Sequence, residues 1–163
     1  MTQKYKSPDI SNEHLSTRML YQTIRSRFPK VRQLCTTQLD KWFSEDNESS
    51  TILLVDVREK EEQSISSMKN AIQITPDDGT EPILVKIECY PFKKVVAFCS
   101  MGYRSCALIQ QLHNDLKSKN KADIDLYNLE GGLFKWANED KPLVNTENIE
   151  TKYVHPYLSL IHI

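Results

Sequence analysis

The chain has no excess of charge of either sign. Over 163 residues, 21 Lys and Arg stand against 22 Asp and Glu, a formal net charge of −1. A balance this even leaves no electrostatic footprint for nucleic acid or for a membrane surface. No apolar run approaches the length of a membrane span, so a soluble protein is expected. The N-terminus lacks the charged start, apolar core and small-residue cleavage site of a secretory signal. Four cysteines at irregular spacing, without such a signal, point to free thiols in a reducing, intracellular and cytoplasmic setting. No C-x-x-C pair and no His/Cys cluster occurs, so neither a zinc site nor another cofactor is expected. There is no internal repeat and no low-complexity tract. The length fits one domain with a sizeable core.

What is present centres on one stretch, Val95-Val96-Ala97-Phe98-Cys99-Ser100-Met101-Gly102-Tyr103-Arg104-Ser105-Cys106. Its four leading apolar residues read as a short buried strand. From Cys106 onward, Ile109, Leu112 and Leu116 recur at helical spacing, which predicts a helix from Tyr103 to about Lys117. The turn between them begins with a cysteine and ends with an arginine. Backbone N–H groups, a helix N-terminus and a guanidinium thus gather around one sulfur atom. Each favours an anion, so this turn is expected to hold Cys99 as a nucleophilic thiolate.

The flanking chain supplies alternating strands and helices. Residues 1–10 read as a polar arm. Ser11 is the expected cap of a helix with Leu15, Met19, Leu20 and Ile24 on one apolar face, ending before Pro29. Val31 to Leu34 is a strand candidate, and Thr36 or Thr37 should cap a helix through Leu39, Trp42 and Phe43. Cys35 reads as a small buried residue. Ile52-Leu53-Leu54-Val55 is a continuous apolar strand ending in Asp56-Val57-Arg58, the pattern of a strand covered on both faces. Asp56 and Arg58 then reach the C-terminal sheet edge, where open α/β folds bind ligands. A structural buttress is the preferred role for this pair, since neither has chemistry to do once the cysteine is active.

A short helical turn is expected over Glu59–Gln63, while Pro82–Tyr90 is ambiguous between helix and strand. Cys89 and Cys106 read as inert thiols, and a resolving role for Cys106 is the alternative. Ile124 to Leu129 alternates and reads as the last strand. Glu130-Gly131-Gly132 should let the backbone pass close to the Cys99 turn, with Trp136 plugging the core. His155 and His162 are lone histidines, and Tyr157–Ile163 is an apolar tail that could dock on the domain or on a partner.

Three segments together carry a resemblance. Cys99-Ser100-Met101-Gly102-Tyr103-Arg104-Ser105 is similar to the C-x-x-G-x-R-S active loop of the rhodanese family of sulfurtransferases. Asp56-Val57-Arg58 resembles the family's D-V-R motif, and Leu129 to Trp136 its L-x-G-G-x-x-x-W ending. Leu34 to Leu39 is similar to the I-S-T-x-x-L opening of many of its domains. Where many members carry I-x-x-H-I-x-G-A, this chain has Ser67 for the His and Asn70 for the Gly. Asn tolerates the left-handed backbone that a Gly would adopt there.

The C-x4-R spacing is one residue shorter than the C-x5-R loop of related phosphatases, and a shorter loop fits a sulfur atom better than a phosphoryl group. The resemblance covers roughly residues 33–142. It implies a three-layer α/β domain with a mainly parallel sheet of about five strands and helices on both faces. The implied organisation is an N-terminal arm and helix (1–30), the domain (31–142) and a C-terminal tail (143–163).

The resemblance also implies an activity. Cys99 would take sulfane sulfur from a small donor, thiosulfate or a persulfide, and pass it to a thiol or protein acceptor. Ser100, Met101, Gly102, Tyr103 and Arg104 would bind the substrate, with Asp56 and Arg58 as support. Two rival readings remain beside it: a weakly active or idle module that binds a protein partner, and a phosphatase or arsenate reductase.

Overall fold

The computed structural model describes residues 5–45, 49–121 and 123–155. The fold grows from two strands that are apolar along their whole length. β2 (Ile52–Asp56) and β4 (Lys94–Phe98) pair in parallel, and each sends alternate residues to opposite faces. Leu53, Val55, Val95 and Ala97 enter one core, while Ile52, Leu54, Val96 and Phe98 enter the other. Both faces must therefore be covered, and this forces a three-layer arrangement.

β5 (Asp125–Leu129), β1 (Arg32–Leu34) and β3 (Ile72–Gln73) complete a five-strand sheet of order β1-β5-β4-β2-β3, every pair parallel. α4 (Glu81–Cys89) and α5 (Tyr103–Ser118) cover the first face, joined by α1 (Leu15–Arg27). α2 (Thr36–Ser44) and α6 (Gly132–Asn138) cover the second, with Trp136 buried at its centre as expected. The stretch 82–90, ambiguous in sequence, is helical as far as Cys89, with Tyr90 extended: Pro82 sits in the first turn, where no N–H is needed, and Ile83 and Leu84 are buried. A hairpin of β6 (Leu143–Val144) and β7 (Glu150–Thr151) follows, and Val144 exchanges backbone hydrogen bonds with Ser67.

Local expectations fail most clearly at α1. His14, not Ser11, precedes its first turn, and it makes no side-chain cap. Leu15 and Met19 are 63% and 58% exposed, while Thr17, Tyr21 and Ile24 are buried. At 100° per residue, Leu15 and Met19 lie roughly 140° away from Leu20 and Ile24, so one face cannot hold all four. Cys35 takes the cap position of α2 that Thr36 or Thr37 was expected to fill, and it is half-buried. Asn70 does adopt the left-handed backbone, at φ 65°. No helix among the described residues is long and apolar enough to cross a membrane. The tail 157–163, with His162, lies outside the described residues.

Candidate active site

The chain runs from β2 to β3 on one side, then crosses to β4 on the other. The C-terminal ends of β2 and β4 therefore flank a crevice at the point where strand order reverses, the usual ligand position in open α/β sheets. Cys99 directly follows β4, and Asp56 ends β2. Gly102 (φ 107°) turns the backbone into α5, and its N–H points at Cys99 Sγ from 3.1 Å. Cys99 thus sits at the N-terminus of a sixteen-residue helix. The side chain is buried, and the loop behind it is clamped. Leu133 N–H donates to the Cys99 carbonyl at 2.8 Å, and Phe134 N–H to that of Ser100 at 3.2 Å. Gly132 makes this approach possible, as its position beside the loop suggested.

Arg104 reaches back across the crevice to a residue the sequence reading did not single out. Its Nη1 and Nη2 donate to Oε2 and Oε1 of Glu62, on α3 (Lys60–Ile65), at 2.7 and 2.9 Å. The Ser100 hydroxyl donates to the same Oε1 at 2.5 Å and accepts from Arg104 Nη2 at 3.1 Å. Glu62 also accepts from the Glu59 N–H at 3.0 Å, closing a reciprocal cap on α3. Burial pushes the Glu62 carboxyl up. The bonds from Arg104, Ser100 and Glu59 outweigh this and bring it down to about 2.

A pH dependence follows from that value. The folded pKa lies below the ordinary 4.5, so the stabilisation is complete above it and is lost as pH falls toward 2. The lost contribution is about 3 kcal/mol. Urea denaturation at pH values between 5 and 2 should show this component in the wild type and not in Glu62→Gln.

A second polar chain runs behind the sulfur. The Ser105 hydroxyl lies 3.4 Å from Cys99 Sγ and donates to Asn128 Oδ1 at 2.5 Å. Asn128 Nδ2 donates to Gln33 Oε1 at 2.6 Å, and Gln33 Nε2 lies 3.4 Å from both the Val31 carbonyl and Cys106 Sγ. Burial pushes the Cys106 thiol up to about 12 against the bond from Gln33, which fits an inert core residue. Asn128 and Gln33 were also missed. Asn128 shares a strand face with Leu126, and a polar residue on an apolar stripe was the available signal.

The other expected site residues separate by role. Met101 is buried in the loop, and Tyr103 is 51% exposed at its rim with its ring edge-on to Phe28 at 5.2 Å. Asp56 and Arg58 form a closed, buried pair: Arg58 Nε and Nη2 donate to Oδ1 and Oδ2 at 2.9 and 2.7 Å. Arg58 Nη2 also reaches the Ser66 carbonyl at 2.5 Å, and Ser67 Oγ donates to Asp56 Oδ2 at 2.6 Å. Every polar group of this pair faces protein, the arrangement of a buttress. Among the described residues no group of His, Cys, Asp and Glu side chains is arranged to hold a metal ion.

Residues 38–139 match the family model described as Rhodanese-like domain. The chain belongs to the rhodanese-like family. Solved structures agree with this rhodanese-like fold. A rhodanese-related protein from Thermoplasma volcanium is 26% identical, with 69% of this chain and 97% of that one covered, at a TM-score of 0.52. The polysulfide-sulfur transferase homodimer of Wolinella succinogenes is 24% identical, covering 78% and 88%, at 0.56. Thiosulfate sulfurtransferase from Pseudomonas aeruginosa is 17% identical, covering 79% of this rhodanese-like chain and 23% of its own length, at 0.59. No curated protein matches the chain.

Proposed function

We propose that this rhodanese-like protein is a sulfurtransferase that carries sulfane sulfur as a persulfide on Cys99. The observation that carries the reading is the Gly102 N–H, 3.1 Å from Cys99 Sγ at the N-terminus of α5, within a C-x4-R loop. The Cys99 thiolate attacks the outer sulfur of a sulfane donor. With thiosulfate, the new Sγ–S bond forms as the donor S–S bond breaks, and sulfite departs with that electron pair. The loop N–H groups and the α5 dipole then face the terminal persulfide sulfur, as an oxyanion hole faces developing charge. An acceptor thiolate, of a small molecule or a protein, takes the outer sulfur and returns Cys99 to thiolate. The sulfurtransferase names of the two transferase neighbours support the same chemistry. Ser100, Met101, Tyr103 and Arg104 shape the donor site, and Asp56 and Arg58 hold the neighbouring loop.

Steady-state thiocyanate formation from cyanide and a sulfane donor tests the reading. The wild type should turn over, and Cys99→Ser should fall at least about 100-fold. Phosphate release from an aryl phosphate, without thiocyanate, would support a phosphatase instead.

A further inference from the structure

The charge around Cys99 is matched within the protein. Arg104 is the only cation of the cysteine loop, since Ser100, Met101, Gly102 and Tyr103 carry none. Both of its terminal nitrogens lie on the two oxygens of Glu62 in a bidentate pair. The Glu62 side chain is 1% exposed and that of Arg104 is 20% exposed, so solvent screens the pair poorly. For an incoming donor the pair is a dipole rather than a positive charge. What remains attractive is the helix N-terminus, equivalent to about half a unit charge. Against it stands the full negative charge of the thiolate that must attack.

We propose that Glu62 selects the sulfur donor: by closing Arg104 into a neutral pair, it fits the Cys99 loop to organic persulfides, R–S–SH, rather than to the thiosulfate dianion. The inference rests on the sulfurtransferase reading above and names the donor class of that site. Thiosulfate brings two negative charges to a thiolate and must leave as doubly charged sulfite, with no unmatched cation in the loop to receive either. An organic persulfide brings at most one charge at its reacting end. Cys99–S⁻ attacks its outer sulfur, the Cys99 Sγ–S bond forms, and the donor S–S bond breaks. The departing R–S⁻ takes the proton of the transferred sulfur, giving Cys99–S–S⁻ and R–SH. The exchange is a two-electron displacement between sulfurs and needs no outside oxidant or reductant.

The rim of the site fits such a donor. Tyr103 is half exposed beside the loop, and Phe28, from the C-terminal end of α1, braces its ring. A carbon-bearing leaving group gains apolar contact on this surface, whereas sulfite does not. Glu62 is a specificity-setting residue in this scheme, acting through Arg104 rather than touching sulfur.

The test compares kcat/KM for cysteine persulfide and for thiosulfate in three full-length proteins. The wild type should favour cysteine persulfide by about tenfold or more. Glu62→Gln keeps the side-chain shape but leaves Arg104 with an uncompensated charge. It should move the ratio toward thiosulfate by about tenfold, mostly through a lower KM for thiosulfate. Tyr103→Lys adds a cation at an exposed position and should move the ratio the same way, even if Glu62→Gln folds poorly. A wild type that uses thiosulfate as well as the persulfide, or ratios unmoved in both variants, overturns the proposal. Failure of the folded wild type to take sulfur from either donor overturns the sulfurtransferase reading itself.

Discussion

Gly132→Ala should cost about 3–5 kcal/mol and lower Tm by roughly 10 °C, with sulfur transfer lost in parallel. A Cβ at this position would lie 2.3 Å from the Cys99 carbonyl oxygen, 2.6 Å from that of Ser100 and 2.7 Å from the Ser100 carbonyl carbon. All three are backbone atoms of the Cys99 loop, so no side chain can swing aside. The residue also sits at φ 59°, where a side chain is strained. Relief requires α6 to back away, which lengthens the bonds from Leu133 and Phe134 that hold the Cys99 and Ser100 carbonyls. Gly79→Ala is the natural control. Its φ is similar at 66°, its ψ of −152° lies in a region open essentially only to glycine, and its nearest contact is Gln111 Nε2 at 3.9 Å, so about 1–3 kcal/mol of backbone strain without a collision is expected. Thermal melts of the two variants, beside the wild type, separate collision from conformational strain.

Arg58→Met should be comparably damaging, at about 3–5 kcal/mol, because it strands the Asp56 carboxylate in the core. Asp56 would keep only Ser67 Oγ and the Arg58 backbone N–H as donors, and the Ser66 carbonyl would lose its guanidinium partner. Adding Asp56→Leu to Arg58→Met removes the unpaired charge, so the double variant should recover part of the loss in urea denaturation. A purely catalytic arginine would behave otherwise: Arg58→Met would then reduce turnover and leave the denaturation midpoint unmoved.

The parts of this site that can be read from sequence are those built by neighbours along the chain. Apolar strand, tight turn and amphipathic helix follow one another from Val95 to Leu116, so their order alone places Cys99 at a helix N-terminus. Paired glycines before Trp136 announce a close backbone approach in the same way. Glu62, Asn128 and Gln33 escape because their meanings lie in contacts made at a distance. Glu62 meets Arg104 across 42 positions, Asn128 meets Ser105 across 23, and Gln33 meets Asn128 across 95.

A short polar helix such as Lys-Glu-Glu-Gln-Ser-Ile reads as solvated surface until β2 and β4 are laid side by side. Only then does one of its carboxylates face the crevice. This changes the expected part played by Arg104. Read alone, it is the cation of the loop, placed to bind an anionic donor. In the folded chain, its charge is already matched. The N-terminal helix misleads for the opposite reason. Its apolar residues are numerous enough to suggest a stripe, yet the buried face is formed by Thr17, Tyr21 and Ile24. Tyr21 lies against Gly131, and Arg25 pairs with Glu130 at 2.7 Å, so this helix supports the glycine turn from outside the family match.

The most direct test is the intact mass of the protein after incubation with cysteine persulfide and, separately, with thiosulfate, for wild type and Cys99→Ser. The wild type alone should gain one sulfur atom, more readily from the persulfide, and lose it again to cyanide. No gain from either donor, or a gain that persists in Cys99→Ser, would contradict Cys99 as the sulfur carrier.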